Sequence, residues 1–173
     1  MPSLIRPATL QDADDVARCW AAAYPDQMGV DVLEPDFLAE RTLEGFQRRV
    51  PERISNTLVA CDESGAVVGF CVSAHDEIEQ LFVAAQARGT GVAAMLLRRA
   101  EQQLHAQGTV TAHLFILPQN ARAQRFYERC GWMWQHACAH DVQISGGRTY
   151  SLQVCRLEKV LGDEAADSDD GPT

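Results

Sequence analysis

Two glycines impose the strongest constraint on this chain. Gly89 and Gly91 stand between an apolar, strand-like run, Leu81-Phe82-Val83, and a helical stripe in which Val92, Ala93, Leu96, Leu97, Ala100 and Leu104 recur at three- and four-residue spacing until Gly108. A second apolar run, Val110 to Leu117, follows. Strand, helix and strand in this order make a crossover unit at about residues 76–117, with the two strands parallel in one sheet and the helix packed across it. The tight turn leaves first-turn amide N–H groups without intrahelical acceptors, and the helix dipole favours an anion there. Residues Gln86 to Ala93 therefore read as a phosphate cradle, with Arg88 adding positive charge.

The flanking segments supply the rest of a mixed α/β domain. Leu4-Ile5-Arg6 reads as a short strand, and Thr9-x-x-Asp12 resembles a capping box. The helix it opens carries Ala13, Val16, Ala17, Trp20 and Tyr24 on one face and is expected to end at Pro25. A second helix is expected from Pro35, with Phe37, Leu38, Phe46 and Val50 inward, ending before Pro51. Thr57 to Cys61 and Ala66 to Val72 form a hairpin about Ser64-Gly65, and Asp76 to Val83 adds a third strand. Asn120 to Arg129 reads as a helix closed by Gly131. Trp132 to Ala139 and Tyr150 to Val160 are the last strands, with a Gly146-Gly147 turn between them. The expected order is β-α-α-β-β-β-α-β-α-β-β, with one domain at 1–161 and a disordered acidic tail at 162–173.

At 173 residues the chain buries enough surface for a single core without staples. Its formal charge is −9, and five of the acids lie in the tail. A mildly acidic body argues against coating nucleic acid or anionic membrane, both of which need a net basic face. Fourteen of the fifteen cations are Arg, and Lys159 alone is Lys. The six cysteines include no Cys-x-x-Cys pair, the first residues lack the apolar core of a signal peptide, and no run approaches a membrane span. Reduced thiols in a cytoplasmic protein are the expectation.

Among nucleotide motifs, a Walker loop fails for want of Gly-Lys-Ser/Thr. Gly89-x-Gly91-x-x-Ala94 fits a permissive dinucleotide fingerprint, but Thr109 to Leu117 holds no acid for a ribose. By contrast, Glu77-Ile78-Glu79-Gln80-Leu81-Phe82-Val83 followed by Gln86-Ala87-Arg88-Gly89-Thr90-Gly91 resembles the acetyl-CoA-binding motif of the GNAT N-acetyltransferases. The block from Asn120 to Trp132 resembles that family's Asn-x-x-Ala-x-x-Phe-Tyr-x-x-x-Gly-Phe segment. Ala85 stands where the family often has Pro, and Ala93 where it often has a third Gly. The similarity in element order runs from Leu4 to Leu161.

The resemblance implies a GNAT-like mixed central sheet whose fourth and fifth strands splay apart, with acetyl-CoA in the gap as acyl donor. Its pyrophosphate falls to Gln86, Arg88, Gly89, Thr90, Gly91, Val92 and Ala93, and its pantetheine arm to Leu81, Phe82 and Val83. Asn120, Ala123, Phe126 and Tyr127 complete the cofactor side. The implied reaction is transfer of an acetyl group to an amine of a small molecule or protein by direct attack, with Tyr127 protonating the departing thiolate. Period-two alternation puts Glu77 and Glu79 on one strand face together with His75, as candidate bases, and proximity to the loop leans toward Glu79. His113 reads as a core histidine, His136 and His140 do not converge on a strand, and no metal is expected.

The first helices and an Ala139 to Thr149 loop are expected to wall the acceptor side. They carry Asp26, Asp31, Glu34, Asp36, Glu40 and Asp141, which favours a cationic amine. No nucleic acid or membrane partner is implied, and a homodimer is compatible with the sequence. Two other readings stand beside this one: a CoA-binding sensor or scaffold without efficient transfer, and a dinucleotide-dependent oxidoreductase. Release of free CoA in the presence of amines separates the first from transfer, and ligand preference separates the second.

Overall fold

A computed structural model describes residues 4–28, 34–144 and 147–162. Strand β1 (Leu4–Pro7) leads through a 3-10 turn into helix α1 (Ala13–Met28), followed by α2 (Pro35–Leu38) and α3 (Leu43–Arg53). Strands β2 (Thr57–Cys61), β3 (Val67–Ala74) and β4 (Glu77–Val83) come next. Then follow α4 (Val92–Ala106), β5 (Thr111–Ile116), α5 (Ala121–Arg129), β6 (Met133–Ile144) and β7 (Arg148–Val160). The strands form one sheet in the order β1-β2-β3-β4-β5-β7-β6, antiparallel except where β4 meets β5.

The sheet separates two cores. On one face α4 and α5 bury Leu96, Leu97, Leu104, Tyr127 and Trp132 against Ala112, Leu114 and Leu157. On the other, α1 and α3 bury Trp20, Tyr24, Phe46 and Val50 against Val59, Phe70 and Phe82. Trp20 stacks on Phe46 with ring centroids 4.4 Å apart. The sequence stripes of both helices point inward, and burial of each such side chain contributes about 1.5–3 kcal/mol before conformational entropy is set against it.

The Thr9-x-x-Asp12 cap forms. Asp12 accepts from the Thr9 backbone N–H at 2.8 Å, and both its oxygens take Arg6 of β1 at 2.8 Å. Four expectations need correction. Helix α1 runs through Pro25 to Met28, so the proline does not end it. The expected second helix is two, broken where the Thr42 side chain accepts from the Gly45 N–H and starts α3. A Cβ at Gly45 would collide with the Glu40 carbonyl, and Pro51 sits inside α3 rather than beyond it.

The third correction concerns the expected Ala139 to Thr149 loop. It is mostly strand: β6 continues to Ile144 and pairs with β7 from Arg148, so that Val142, Ile144, Tyr150 and Leu152 reach the α1 core. Fourth, His75 leaves the strand. It occupies the two-residue turn between Ala74 and Glu77 with φ +58°, exposed. Gly146, in the expected turn, and the acidic tail from residue 163 onward lie outside the described residues. No described helix is long and apolar enough to cross a membrane.

Candidate active site

The parallel pairing of β4 and β5 is confined to a single registered rung, Glu77 opposite His113, with the His113 N–H on the Asp76 carbonyl at 2.8 Å. Beyond it the strands part. β4 keeps its ladder to β3, where the Ala84 N–H donates to the Val68 carbonyl at 2.8 Å. Antiparallel alternation then turns the amides of Leu81 and Val83 toward the β5 side, into the gap. A pantetheine arm is amide-rich, and an extended edge of this kind suits it. Phe82 has the opposite parity: its backbone belongs to the β3 ladder and its ring to the α1 core beside Trp20, Tyr24 and Phe70.

At the mouth of the gap the chain makes a 3-10 turn, Ala85–Ala87, then passes Gly89 (φ +75°) and Gly91 (φ +87°) into α4. Only glycine adopts these angles without strain, and a Cβ at either position would meet nothing within 4 Å. The helix start is thus bare backbone facing open space, which fits a pyrophosphate. Val92 is buried and Ala93 packs on the core, so both offer backbone alone. Thr90 Oγ1 donates to the Ala87 carbonyl at 2.6 Å and braces the loop. Gln86 is exposed. The Arg88 guanidinium reaches α1, with Nη1 3.3 Å from Asp26 Oδ2, while Nε and Nη2 are buried without hydrogen-bond partners.

A β-bulge shapes the other end of β4. The register steps from Val72 opposite Gln80 to Ser73 opposite Ile78, leaving Glu79 as the extra residue. Glu77 and Glu79 both face the α1/α3 side: Glu77 Oε2 lies 3.6 Å from His113 Nε2, and Glu79 Oε2 lies 3.6 Å from Arg53 Nε of α3. Burial pushes the Glu77 carboxyl up, His113 pulls it back, and Glu79 and Asp76 push it up further.

Across the gap, Tyr127 is buried on α5 with its ring edge-on to Phe126 and to Trp132. Burial drives its phenol well above the ordinary tyrosine range, and it stays protonated at any physiological pH. Asn120 caps α5 by accepting from the Ala123 N–H at 3.0 Å, which aims the helix; Ala123 and Phe126 pack on the α4-side core. Burial also raises the Cys130 thiol, against a nucleophilic role.

Loop, gap and second block agree with the sequence of a known family, whose profile, that of the Acetyltransferase (GNAT) family, matches residues 15–132. The chain belongs to the GNAT acetyltransferase family. Membership makes it an acetyl-CoA-dependent acyltransferase. An uncharacterized N-acetyltransferase of Archaeoglobus fulgidus is 25% identical over 134 residues, spanning 71% of this chain and 88% of that one. The fold is shared with a GCN5-related N-acetyltransferase of Rhodopseudomonas palustris at TM-score 0.71 and 22% identity, covering 93% and 97% of the two chains. It is shared too with a phosphinothricin acetyltransferase of Sinorhizobium meliloti solved with acetyl-CoA, at TM-score 0.66 and 20% identity, covering 100% and 94%.

Within this GNAT frame sequence reasoning passed over Arg53 and read His113 as a core histidine, whereas His113 faces Glu77 across the β4–β5 rung. Arg53 comes from a distant helix, and nothing local in the chain signals its reach to Glu79. His113 did carry a signal. In Thr111 to Ile116 the alternation puts Ala112, Leu114 and Ile116 in the α4-side core and turns His113 and Phe115 to the opposite face, where β5 and β7 carry polar groups. Among the described residues no group of three His, Cys, Asp or Glu side chains is placed to hold a metal ion.

Proposed function

We propose that this GNAT enzyme transfers acetyl from acetyl-CoA to an amine by direct attack, with Glu77 as the base and Tyr127 as the acid. The observation that carries the reading is the placement of a half-buried carboxylate at the one rung joining β4 to β5, where the strands begin to part beneath a bare helix start. Backbone amides from Gly89 to Ala93 would hold the pyrophosphate, and Leu81 and Val83 the pantetheine arm. Acetyl-CoA supplies the activated thioester. A Thermoplasma acidophilum N-acetyltransferase solved with coenzyme A shares the fold at TM-score 0.67 and 16% identity, in keeping with this use of the gap.

An amine attacks only when uncharged, so a base must take its proton. Glu77 is the better of the two candidate carboxylates on geometry: its raised affinity for a proton suits it to the task, whereas Glu79 is engaged by Arg53. Tyr127 keeps its proton at physiological pH and so has one to give a departing thiolate; because burial also makes the phenol a weaker acid, that transfer follows the build-up of charge on the sulfur. Glu34 and Asp141, two of the acids expected to favour a cationic acceptor, are exposed. Asp26, Asp36 and Glu40 are paired with Arg88, Arg148 and Arg49, and Asp31 lies outside the described residues. The reading therefore commits to an amine and leaves its net charge open.

Thermal melts with ligands and a free-thiol assay over an amine panel test this. Acetyl-CoA at a hundredfold excess over Kd is expected to stabilise the fold by about 2.7 kcal/mol, and NAD(P) not at all. Stabilisation by NAD(P) alone would restore the oxidoreductase reading. Binding without thiol release on any amine would favour the scaffold.

A further inference from the structure

A base at Glu77, once protonated, has to lose its proton before the next turnover. His113 faces Glu77 across the single β4–β5 rung, and its ring spans two carboxylates: Nε2 is 3.6 Å from Glu77 Oε2, and Nδ1 is 3.6 Å from Asp76 Oδ2. Exposure falls and then rises along this line. The Glu77 side chain is 27% exposed, His113 13% and Asp76 58%. His113 Nδ1 is buried and has no closer partner than that carboxylate. Phe115 packs against the imidazole with centroids 5.4 Å apart and is itself covered by His140.

We propose that Asp76, His113 and Glu77 form a proton exit that resets the base, with His113 as its positioning and relay residue. The inference rests on the reading of Glu77 as base. The Glu77 O–H bond breaks as its proton passes to unprotonated Nε2, the Nδ1 proton passes to the Asp76 carboxylate, and Asp76 exchanges it with water. A ring flip or a second exchange restores the starting tautomer. No oxidant or other co-reactant is needed. Both gaps exceed hydrogen-bond length by a few tenths of an ångström, and catalytic contacts of this kind commonly tighten when substrate binds. The other charged groups on this face are accounted for. Glu79 meets Arg53, and Glu158 of β7, in register with His113, is held by Arg156 at 2.8 Å. Arg156 lies over Phe115, and His140 stacks on the same ring.

The test compares wild type, His113→Gln, His113→Ala and Glu77→Gln in the full chain. His113→Gln is expected to lower kcat five- to fiftyfold with the acetyl-CoA KM unchanged, and to move the acidic limb of kcat/KM to higher pH, since His113 in its protonated form holds the Glu77 carboxyl down. Imidazole is expected to restore part of kcat to His113→Ala. A side-chain carboxyl NMR titration follows Glu77 without any acceptor, and its midpoint is expected to rise in His113→Gln. Unchanged kinetics in both His113 variants, loss of kcat that ignores imidazole and pH, or an unmoved Glu77 titration would each overturn the relay. If Glu77→Gln keeps full kcat, the base assignment itself is wrong; if it is inactive while the His113 variants are normal, only the relay fails.

Discussion

The only lysine of the chain, Lys159 on β7, places its Nζ 2.7 Å from Oε2 of Glu101 on α4, 58 positions away. Glu101 is 9% exposed at its side chain, and its other oxygen accepts from Trp132 Nε1 at 2.8 Å. Lys159 also donates to the Cys130 carbonyl at 2.9 Å, at the C-terminal end of α5. One buried carboxylate thus ties α4, the end of α5 and β7 together, and every polar group in the knot has a partner.

Removing one member of such a pair leaves a buried charge alone. Lys159→Met is expected to destabilise the fold by about 3 kcal/mol, and the double variant Lys159→Met with Glu101→Gln to recover at least half of that. Urea unfolding of the wild type, Lys159→Met, Glu101→Gln and the double variant measures both numbers. Additive losses would show that the two side chains do not interact.

The Arg6–Asp12 pair gives a pH signature. Paired oxygens on Arg6, with help from Thr9, hold the Asp12 carboxyl well below its ordinary value of 3.8. A depressed carboxyl contributes stability that is fully present above about pH 4 and is lost as the pH falls further toward its folded value. Arg6 is 37% exposed at its side chain, so solvent screens the pair and Asp12→Asn should cost about 1 kcal/mol at pH 7. The difference in melting temperature between the two proteins should shrink steadily below pH 4. A constant difference down to pH 2 would contradict the assignment.

Gly91→Glu sets bulk and negative charge at the helix start proposed to face the pyrophosphate. The φ of +87° adds about 1 kcal/mol of strain, small enough for the domain to stay folded. Calorimetric titration is expected to show acetyl-CoA binding abolished, with a melting temperature lowered by only a few degrees. Wild-type affinity in the variant would mean that the loop merely starts a helix.

Tyr127→Phe keeps the ring packing against Phe126 and Trp132. The loss of a general acid predicts kcat about 10- to 1000-fold lower with acetyl-CoA affinity nearly intact. CoA thiolate leaves tolerably well unaided, so residual activity is expected. Full kcat where chemistry limits the rate would assign the donor elsewhere.

Much of the molecule was legible from one dimension. The crossover unit, the Gly89–Gly91 turn, the Thr9-x-x-Asp12 cap and the helix after Asn120 follow from helical and strand periods and from backbone angles that only glycine takes easily, whereas the weight given to Tyr127 came from the resemblance of its block to a known family. Such preferences act between residues a few positions apart, so a linear reading captures them. Proline is a local signal that tertiary packing overrides: α1 continues past Pro25 and α3 past Pro51, because each helix has an apolar face to bury against the sheet.

What only the tertiary structure decided is who meets whom. The bulge at Glu79, the engagement of Glu79 by Arg53, the rung that sets His113 against Glu77 and the knot of Lys159 with Glu101 all join residues from different elements. Strand register and helix placement fix those meetings, and both come from burying two cores on opposite faces of one sheet. The sequence named the carboxylates that could serve as base. Burial and neighbours, which exist only once the sheet is assembled, are what the proposal of Glu77 rests on.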